Sequence, residues 1–302
     1  NASSGTVPYL LGLRESGDGE SVPGYAIETL ATAYAAVKTK TKAFYNTAIE
    51  GRNSSTYTEE TALAAQIETE KRQCTFVDSN SDAVDPADFT DLHSVLKALS
   101  YENATVIYTE HNDEYPDAAA DGNFLPNEAG SASYGHRPLS GVHGSGSIGS
   151  DYDLSETHKA ALAAKGCNHV VTVGSDAGGT TYTFIEKGKN TNGNSKRLVK
   201  GKHWLEGGMA ADIFSLDMNS KLMAFDVKTH GAIKGIIESW LTKAGPAPKG
   251  TGLINSWTIQ FPELSEFTAA EKAAGDMTLE NVFVAEANFE SYHFTISGSI
   301  TI

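Results

Sequence analysis

The sequence lacks any hydrophobic run long enough to cross a membrane. A membrane-spanning helix needs about 20 apolar residues, and the longest apolar runs here, such as NATVIY and HVVTV, have the length of β-strands. The first residues also lack the basic stretch and apolar core of a secretory signal. We therefore expect no membrane insertion. The chain begins at Asn1 rather than Met, which leaves room for an upstream part.

Positive charge and cysteine are both scarce. Lys and Arg number 23 against 38 Asp and Glu, which gives a formal net charge of −15 at pH 7. Nucleic acids and anionic membranes would repel such a surface, so we expect no direct nucleic-acid binding. Two cysteines cannot form a disulfide framework. Cys74 and Cys167 both precede predicted strands, and we expect each to be a buried free thiol.

No motif for catalysis, metal binding or cofactor binding is complete. Residues 144–149 read GSGSIG and match G-x-G-x-x-G, but Pro138 and two glycines precede them where a dinucleotide site requires a buried strand. Segment 109–117 holds four possible cation ligands: His111, Asp113, Glu114 and Asp117. Their spacing fits neither an EF-hand nor HExxH. We predict that the chain is not an enzyme and has no catalytic, metal or cofactor-binding residues.

Helix patterns recur through the first half of the chain. Apolar residues at helical spacing predict a helix over residues 25–38, and Thr58 is the predicted N-cap of a second helix ending near residue 71. A third helix is predicted to begin at Asp85 and Pro86. Its inner face would carry Phe89, Leu92, Leu96 and Leu99.

Each of these helices is followed by a predicted strand, at residues 42–49, 73–78 and 103–110. Parallel strands joined by helices form right-handed crossovers within one sheet. The predicted fold class is therefore α/β, with a helix-flanked, largely parallel sheet, followed by a β-rich α+β C-terminal part.

The middle of the chain interrupts this rhythm. Residues 111–150 are rich in Gly, Ser, Asp and Pro and predict a long loop, of a length that is usually functional or mobile. A helix capped by Asp153 or Ser155 is then predicted to end at Gly166, before a strand at 168–175. Residues 178–205 read as a β-hairpin around the turn NTNGN.

The last part of the chain predicts two helices and then strands. The second helix would place Ile233, Ile236, Ile237 and Trp240 on one side, and the region from about residue 252 is rich in strand patterns. We divide the chain into an N-terminal segment or linker (1–24), an α/β body (25–205), and an α+β part (206–302) that ends in an assembly strand.

The chain ends in SYHFTISGSITI, in which apolar residues or glycine alternate with small polar ones. This period of two is typical of a strand with one buried face. The segment carries no charge or proline to block pairing at its edge. A hairpin with NVFVAEANF could cover one edge and leave the other for a neighbouring subunit. The predicted inter-subunit strand residues are Tyr292, Phe294, Ile296, Ile300 and Ile302.

A basic segment contrasts with the acidic background. Residues 187–203 contain six Lys or Arg and no acid. A solvated surface is one explanation, and a contact with an acidic surface of another protein is the other. The predicted contact residues are Lys196, Arg197, Lys200 and Lys202.

Several stretches together resemble the contractile tail-sheath proteins of bacteriophages, of the myovirus sheath-like family. These stretches are YPDAAADGNFLPNEAGSASYGHRPLSGV, LAAKGCNHVVTVGS, WLEGGMAADIF and the strand-rich C-terminus, and the resemblance spans roughly residues 25–302. The matching residues are Tyr115, Pro116, Ala118, Ala119, Ala120, Gly122, Gly130, Leu139, Ser140, Gly141, Gly166 and Asn168. They mark a fold rather than a catalytic site.

The resemblance implies a structural subunit that assembles into stacked hexameric rings around a tail tube and drives the tube by rearranging its interfaces. Implied partners are other copies of the chain, the tail tube protein, and baseplate and tail terminator proteins. The implied location is the virion tail, after assembly in the host bacterial cytoplasm. Two alternatives stay open: an α/β enzyme with a pocket formed by the 111–150 loop, and a non-contractile virion structural protein.

Overall fold

The computed structural model describes ten stretches of the chain: residues 9–14, 29–42, 44–50, 56–111, 114–145, 154–174, 181–219, 226–270, 283–287 and 293–294. The chain divides into two compact units. The first comprises residues 1–127 and 132–199, and the second comprises residues 128–131 and 200–302. No helix in the described stretches is both long and apolar enough to span a membrane.

The first unit is built on a six-stranded sheet whose spatial order equals the chain order. Its strands are β1 (Tyr9–Arg14), β2 (Phe44–Glu50), β3 (Gln73–Asp78), β4 (Ala104–Tyr108), β5 (Asn168–Val173) and β6 (Tyr182–Ile185). The first five strands are parallel, and β6 is antiparallel to β5. The predicted α/β class with a largely parallel sheet is confirmed.

Helices connect these strands, as the crossover rule requires. They are α1 (Leu30–Lys40), α2 (Thr58–Glu68), α3 (Leu92–Ala98), α4 (Pro116–Phe124) and α5 (Glu156–Lys165), with a short 3₁₀ turn at Ser81–Val84. Local chemistry sets their ends. The Asp91 side chain accepts a bond from Ser94 N and begins α3. Gly166, at φ 86°, ends α5 as predicted because glycine tolerates the left-handed conformation.

Each face of this sheet carries a cluster of buried apolar side chains. On one face, α1, α2, α3 and α5 pack apolar side chains such as Tyr34, Leu63 and Leu96 against Phe76 and Val106 of the strands. On the other face, the sheet packs against α4 and the chain that follows it, through a smaller cluster that includes Ile107, Phe124, Tyr134, Val170 and Ile185. Cys74 and Cys167 are buried free thiols, as expected.

Two helix predictions are wrong in detail. Thr58 is the first helical residue of α2, and Tyr57 precedes it in a left-handed conformation without a side-chain cap. The third helix begins at Leu92 rather than at Asp85. Phe89 is 65% exposed, and Leu99, which follows the helix, is 46% exposed.

Turn chemistry explains the shorter α3. Asp85 accepts a bond from Ala87 N at 2.8 Å, and Asp88 accepts one from Thr90 N at 2.7 Å. Aspartate side chains that bond the backbone two residues ahead favour turns over helix. These bonds hold residues 85–90 outside the helix, so that Phe89 cannot lie on its inner face.

Three further elements differ from prediction. The 111–150 loop contains α4, and the segment assigned as an N-terminal linker contains β1. The predicted β-hairpin over residues 178–205 is also wrong, because its second arm is the start of helix α6 (Lys196–Asn219). Leu198, Leu205, Met209 and Ile213 are buried at spacings of seven, four and four residues, which suit a helix.

The second unit contains most of α6, helix α7 (Val227–Ala244) and a three-stranded antiparallel sheet. The strands are β7 (Ile254–Ile259), β8 (Phe283–Ala287) and β9 (His293–Phe294), in the order β7-β8-β9. Helix α7 buries Ile233 and Ile237, as predicted, while Ile236 and Trp240 are only half-buried. Trp240 packs edge-on against Trp204 of α6, with ring centroids 4.9 Å apart.

Candidate functional site

Lys196 lies inside the first unit and not on its surface. The side chain is fully buried, and its Nζ is 3.0 Å from Asp121 Oδ1 on α4. Nζ also donates to Thr75 Oγ1 on β3 and lies 4.4 Å from the centre of the Tyr134 ring. The other oxygen of Asp121 accepts a 2.6 Å bond from Asn46 Nδ2 on β2. One buried cation therefore neutralises one buried carboxylate, and both are hydrogen-bonded.

Residues 188–196, which we call the crossing segment, lie across three strands on this same face. Lys189 N donates to Asn168 Oδ1 on β5 at 2.8 Å. Thr191 N donates to Ala104 O on β4 at 2.8 Å, and Asn190 Oδ1 accepts a bond from Thr105 Oγ1 at 2.6 Å. Lys196 then contacts β3. Polar groups on the strands thus fix the crossing segment in place. Because Lys196 and Asp121 are closed to solvent, we assign this network a structural role.

The predicted basic contact surface loses one member. Lys196 cannot contact another protein from its buried position, because its charge is already neutralised by Asp121 inside the unit. Arg197, Lys200 and Lys202 lie on α6 and are half-buried. Their contact with another subunit or with a tube stays a prediction.

The predicted assembly strand is described only at its start. Phe294 pairs with Ala285, and His293 pairs with Glu286, so β8 and β9 form the antiparallel hairpin considered from sequence. Tyr292, Ile296, Ile300 and Ile302 lie outside the described residues. One edge of β9 is therefore covered by β8, and pairing of the terminal segment with a neighbour stays a prediction.

The outer edge of β6 is covered by the chain itself. Leu139 N donates to Thr183 O at 2.7 Å, and His136 N donates to Ile185 O at 2.9 Å. Residues 136–139 therefore occupy the carbonyl groups that an added strand would need. At the opposite edge, β1 pairs with β2, and no other strand in the described part of the chain pairs with β1.

A small cleft lies where the alternative enzyme function would place a pocket. It is lined by Tyr108, Thr109, Glu110, His111, His143, Ser145, Leu154 and Val170. Its free volume of about 10 Å³ is close to what one water molecule needs. Glu114 accepts bonds from the backbone and the ring of His143. Within the described stretches, no three His, Cys, Asp or Glu side chains are arranged to hold a metal ion.

Four helix starts in the first unit carry an acidic residue, which argues against phosphate binding at those four. Helix α2 begins with Glu59 and Glu60, and α3 is capped by Asp91. Helix α4 has Asp117 in its first turn, and α5, which follows the GSGSIG sequence, has Glu156. A phosphate is bound at a helix start by free backbone N–H groups and a positive dipole end, and a carboxylate there opposes it. Residues 146–149 lie outside the described stretches.

Comparison with known proteins identifies a similar fold but no family. No protein-family model matches the chain, and no curated protein matches its sequence. Among solved structures, one chain in the cryo-EM structure of the anti-feeding prophage (AFP) baseplate, 6-fold symmetrised, superimposes with a TM-score of 0.55. The two chains are 12% identical, and the match covers 87% of this chain and 70% of that one. At this identity, the similarity shows that the two chains share a fold.

Proposed function

We propose that the chain is a structural subunit of a phage-type contractile tail or injection machine, and that within this class it is the sheath subunit. The observation that carries the proposal is the fold similarity to a chain of the AFP baseplate, which extends over 87% of this chain. The sheath-like residues of the sequence, among them Tyr115, Pro116 and Asn168, support the finer assignment. The chain would then act by assembly and not by catalysis.

In this role, copies of the chain form hexameric rings that stack around a tail tube and also meet baseplate and terminator proteins. Terminal segments add strands to sheets of neighbouring copies, and such main-chain pairing survives large rotations when the linkers are flexible. The free energy for contraction comes from interfaces that pack better in the contracted array, so that no nucleotide is consumed. The particle is assembled in the host bacterial cytoplasm.

Electron microscopy of the purified chain tests this function. We expect rings or tubes with six-fold symmetry at high protein concentration. Two populations of tubes that differ in length per ring would indicate a contractile sheath, whereas a single population would support a non-contractile virion protein. Monodisperse monomers across all salt and concentration conditions would contradict the proposal.

Truncation after Phe294 tests the assembly strand. The variant keeps the described β8–β9 hairpin but lacks Ile296, Ile300 and Ile302. We expect a folded, soluble protein that no longer polymerises, because each buried isoleucine contributes about 1.5–3 kcal/mol and each ladder bond about 0.5–1.5 kcal/mol to the contact. Circular dichroism reports folding, and sedimentation velocity reports assembly. If this variant still forms normal tubes, the terminal segment does not pair with a neighbouring subunit.

Charge reversal on α6 tests the basic contact surface. The variant carries Arg197→Glu, Lys200→Glu and Lys202→Glu, and it keeps Lys196, whose loss would disturb the core. We expect weaker assembly at low ionic strength, with a difference from wild type that shrinks as salt rises. The matched control reverses three exposed lysines of α7, namely Lys228, Lys234 and Lys243. Equal assembly by both triple variants would show that α6 makes no specific charged contact.

A further inference from the structure

A buried carboxyl group lies at the carboxyl end of the parallel sheet. Asp78 is the last residue of β3 and is 1% exposed. Its Oδ1 accepts a 3.0 Å bond from Asn80 N, and the backbone amide of Leu92, at the start of α3, interacts electrostatically with the carboxyl group. Both carboxyl oxygens lie 3.4–3.5 Å from the hydroxyl of Tyr57, which itself accepts a bond from Asn80 Nδ2.

The surroundings of Asp78 contain more negative than positive charge. Asp91, also buried, interacts with Asp78 electrostatically. Lys165 is the cation of this cluster, and its Nζ binds Asp91 Oδ2 at 2.8 Å and the carbonyl oxygen of Asp82 at 2.7 Å. In the described part of the chain, no Lys, Arg or His forms an ion pair with Asp78. The cluster therefore holds two carboxylates and one ammonium group.

The neighbouring tyrosine, cysteine and histidine side chains add no positive charge to the cluster. Tyr108 of β4 is paired with Asp78 in the sheet, and Cys167 precedes β5. Burial raises the pKa of both side chains, so both are neutral at pH 7. His93 of α3 bonds the carbonyl of Lys165 through Nε2, and burial lowers its pKa to about 4. Lys97 binds the same carbonyl and does not reach the carboxylates.

We propose that the Asp78 carboxyl group is a proton-binding site whose protonation contributes stability to the first unit in mildly acidic solution and not in neutral solution. Binding one proton removes the excess negative charge of the cluster. The ligand is the proton itself, and the site consists of Asp78 with Tyr57 and Asn80. The inference does not depend on the role in a contractile machine.

The sign of the effect follows from linkage. Burial raises the pKa of Asp78 from 3.8 to about 6, so the folded chain binds this proton more tightly than the unfolded chain does. The site therefore adds stability below about pH 6 and loses that contribution as the pH rises through 6. His93 has the opposite effect, because its folded-state pKa is lowered and stability is lost as the pH falls from 6.5 towards 4. A variant of Asp78 separates the two contributions.

The test compares wild type with Asp78→Asn by chemical denaturation across pH. The two pKa values for Asp78 predict that the ratio of the two unfolding equilibrium constants changes about tenfold between about pH 7.5 and about pH 5, in favour of wild type at the acidic end. The matched control is Asp88→Asn in the neighbouring loop. Asp88 has a lowered pKa and does not titrate in this range, so its ratio should stay constant.

Carbon-13 NMR of the side-chain carboxyl groups in the wild-type protein gives a second reading, which holds even if Asp78→Asn fails to fold. A titration midpoint for Asp78 near pH 6 supports the site. A midpoint near pH 4, or an unfolding ratio for Asp78→Asn that is as constant as that for Asp88→Asn, overturns it.

Discussion

Replacing Lys196 with methionine is expected to destabilise the first unit by about 3–5 kcal/mol. The lysine is fully buried, and its ammonium group neutralises Asp121, which is itself 0% exposed. Methionine fills similar volume but leaves the carboxylate buried without a cation, and removal of one partner from a buried pair typically costs this much. Urea denaturation monitored by circular dichroism measures the loss.

A double variant separates the charge effect from lost packing. Lys196→Met combined with Asp121→Asn removes both charges and keeps an acceptor for Asn46 Nδ2, so we expect it to recover about 2 kcal/mol or more of the single variant's loss. Lys234→Met on the exposed side of α7 is the control and should change stability by less than about 0.5 kcal/mol. If the double variant is no more stable than the single one, packing and not charge determines the loss.

Replacing Gly188 with alanine is expected to cost about 2–4 kcal/mol. Gly188 begins the crossing segment at φ 68°, a left-handed conformation that costs an alanine about 1 kcal/mol. An added Cβ would also lie 2.4 Å from the backbone nitrogen of Gly135. Backbone atoms cannot move aside as a flexible side chain can, and overpacking of this kind costs about 1–3 kcal/mol more.

Gly193→Ala is the matched control for this substitution. Gly193 has a φ of 90° and lies in the same crossing segment, but nothing is within 4 Å of its would-be Cβ. We expect a loss of only about 1 kcal/mol, from the backbone conformation alone. Thermal denaturation measures the loss of stability in each variant, and the difference between the two losses gives the steric cost of a Cβ at position 188. Equal losses would mean that the chain around Gly135 shifts without cost.

Local patterns predicted most of the first unit, because its helices and strands follow the hydrophobic period of their own residues. Where the prediction failed, another local signal competes with the hydrophobic period. Asp85 and Asp88 form turns that stop a helix. Residues 196–204 follow the turn sequence NTNGN, which favours a hairpin and suggests a second strand where the chain forms a helix. The strand β1 has only six residues and contains Gly12, which weakens its strand pattern.

The buried network could not be predicted from one sequence. Lys196 and Asp121 are 75 residues apart, and nothing in the neighbourhood of either reveals the other. A lysine among other basic residues is most simply read as part of a charged surface, and only the fold brings it against a carboxylate. The terminal strand is the opposite case, because Phe294 and Ala285 lie close in sequence and their pairing follows from a short connection.

Because residues 136–139 cover β6, they limit how the sheet of the first unit can pair with other molecules. An open sheet has two edges and is a bifunctional monomer, which can add strands on both sides. Here the β6 side is capped from within, so the sheet of the first unit cannot add strands on both sides. A sheet that is capped on one side cannot continue edge-to-edge pairing from molecule to molecule, which protects a protein at high local concentration from open-ended strand aggregation.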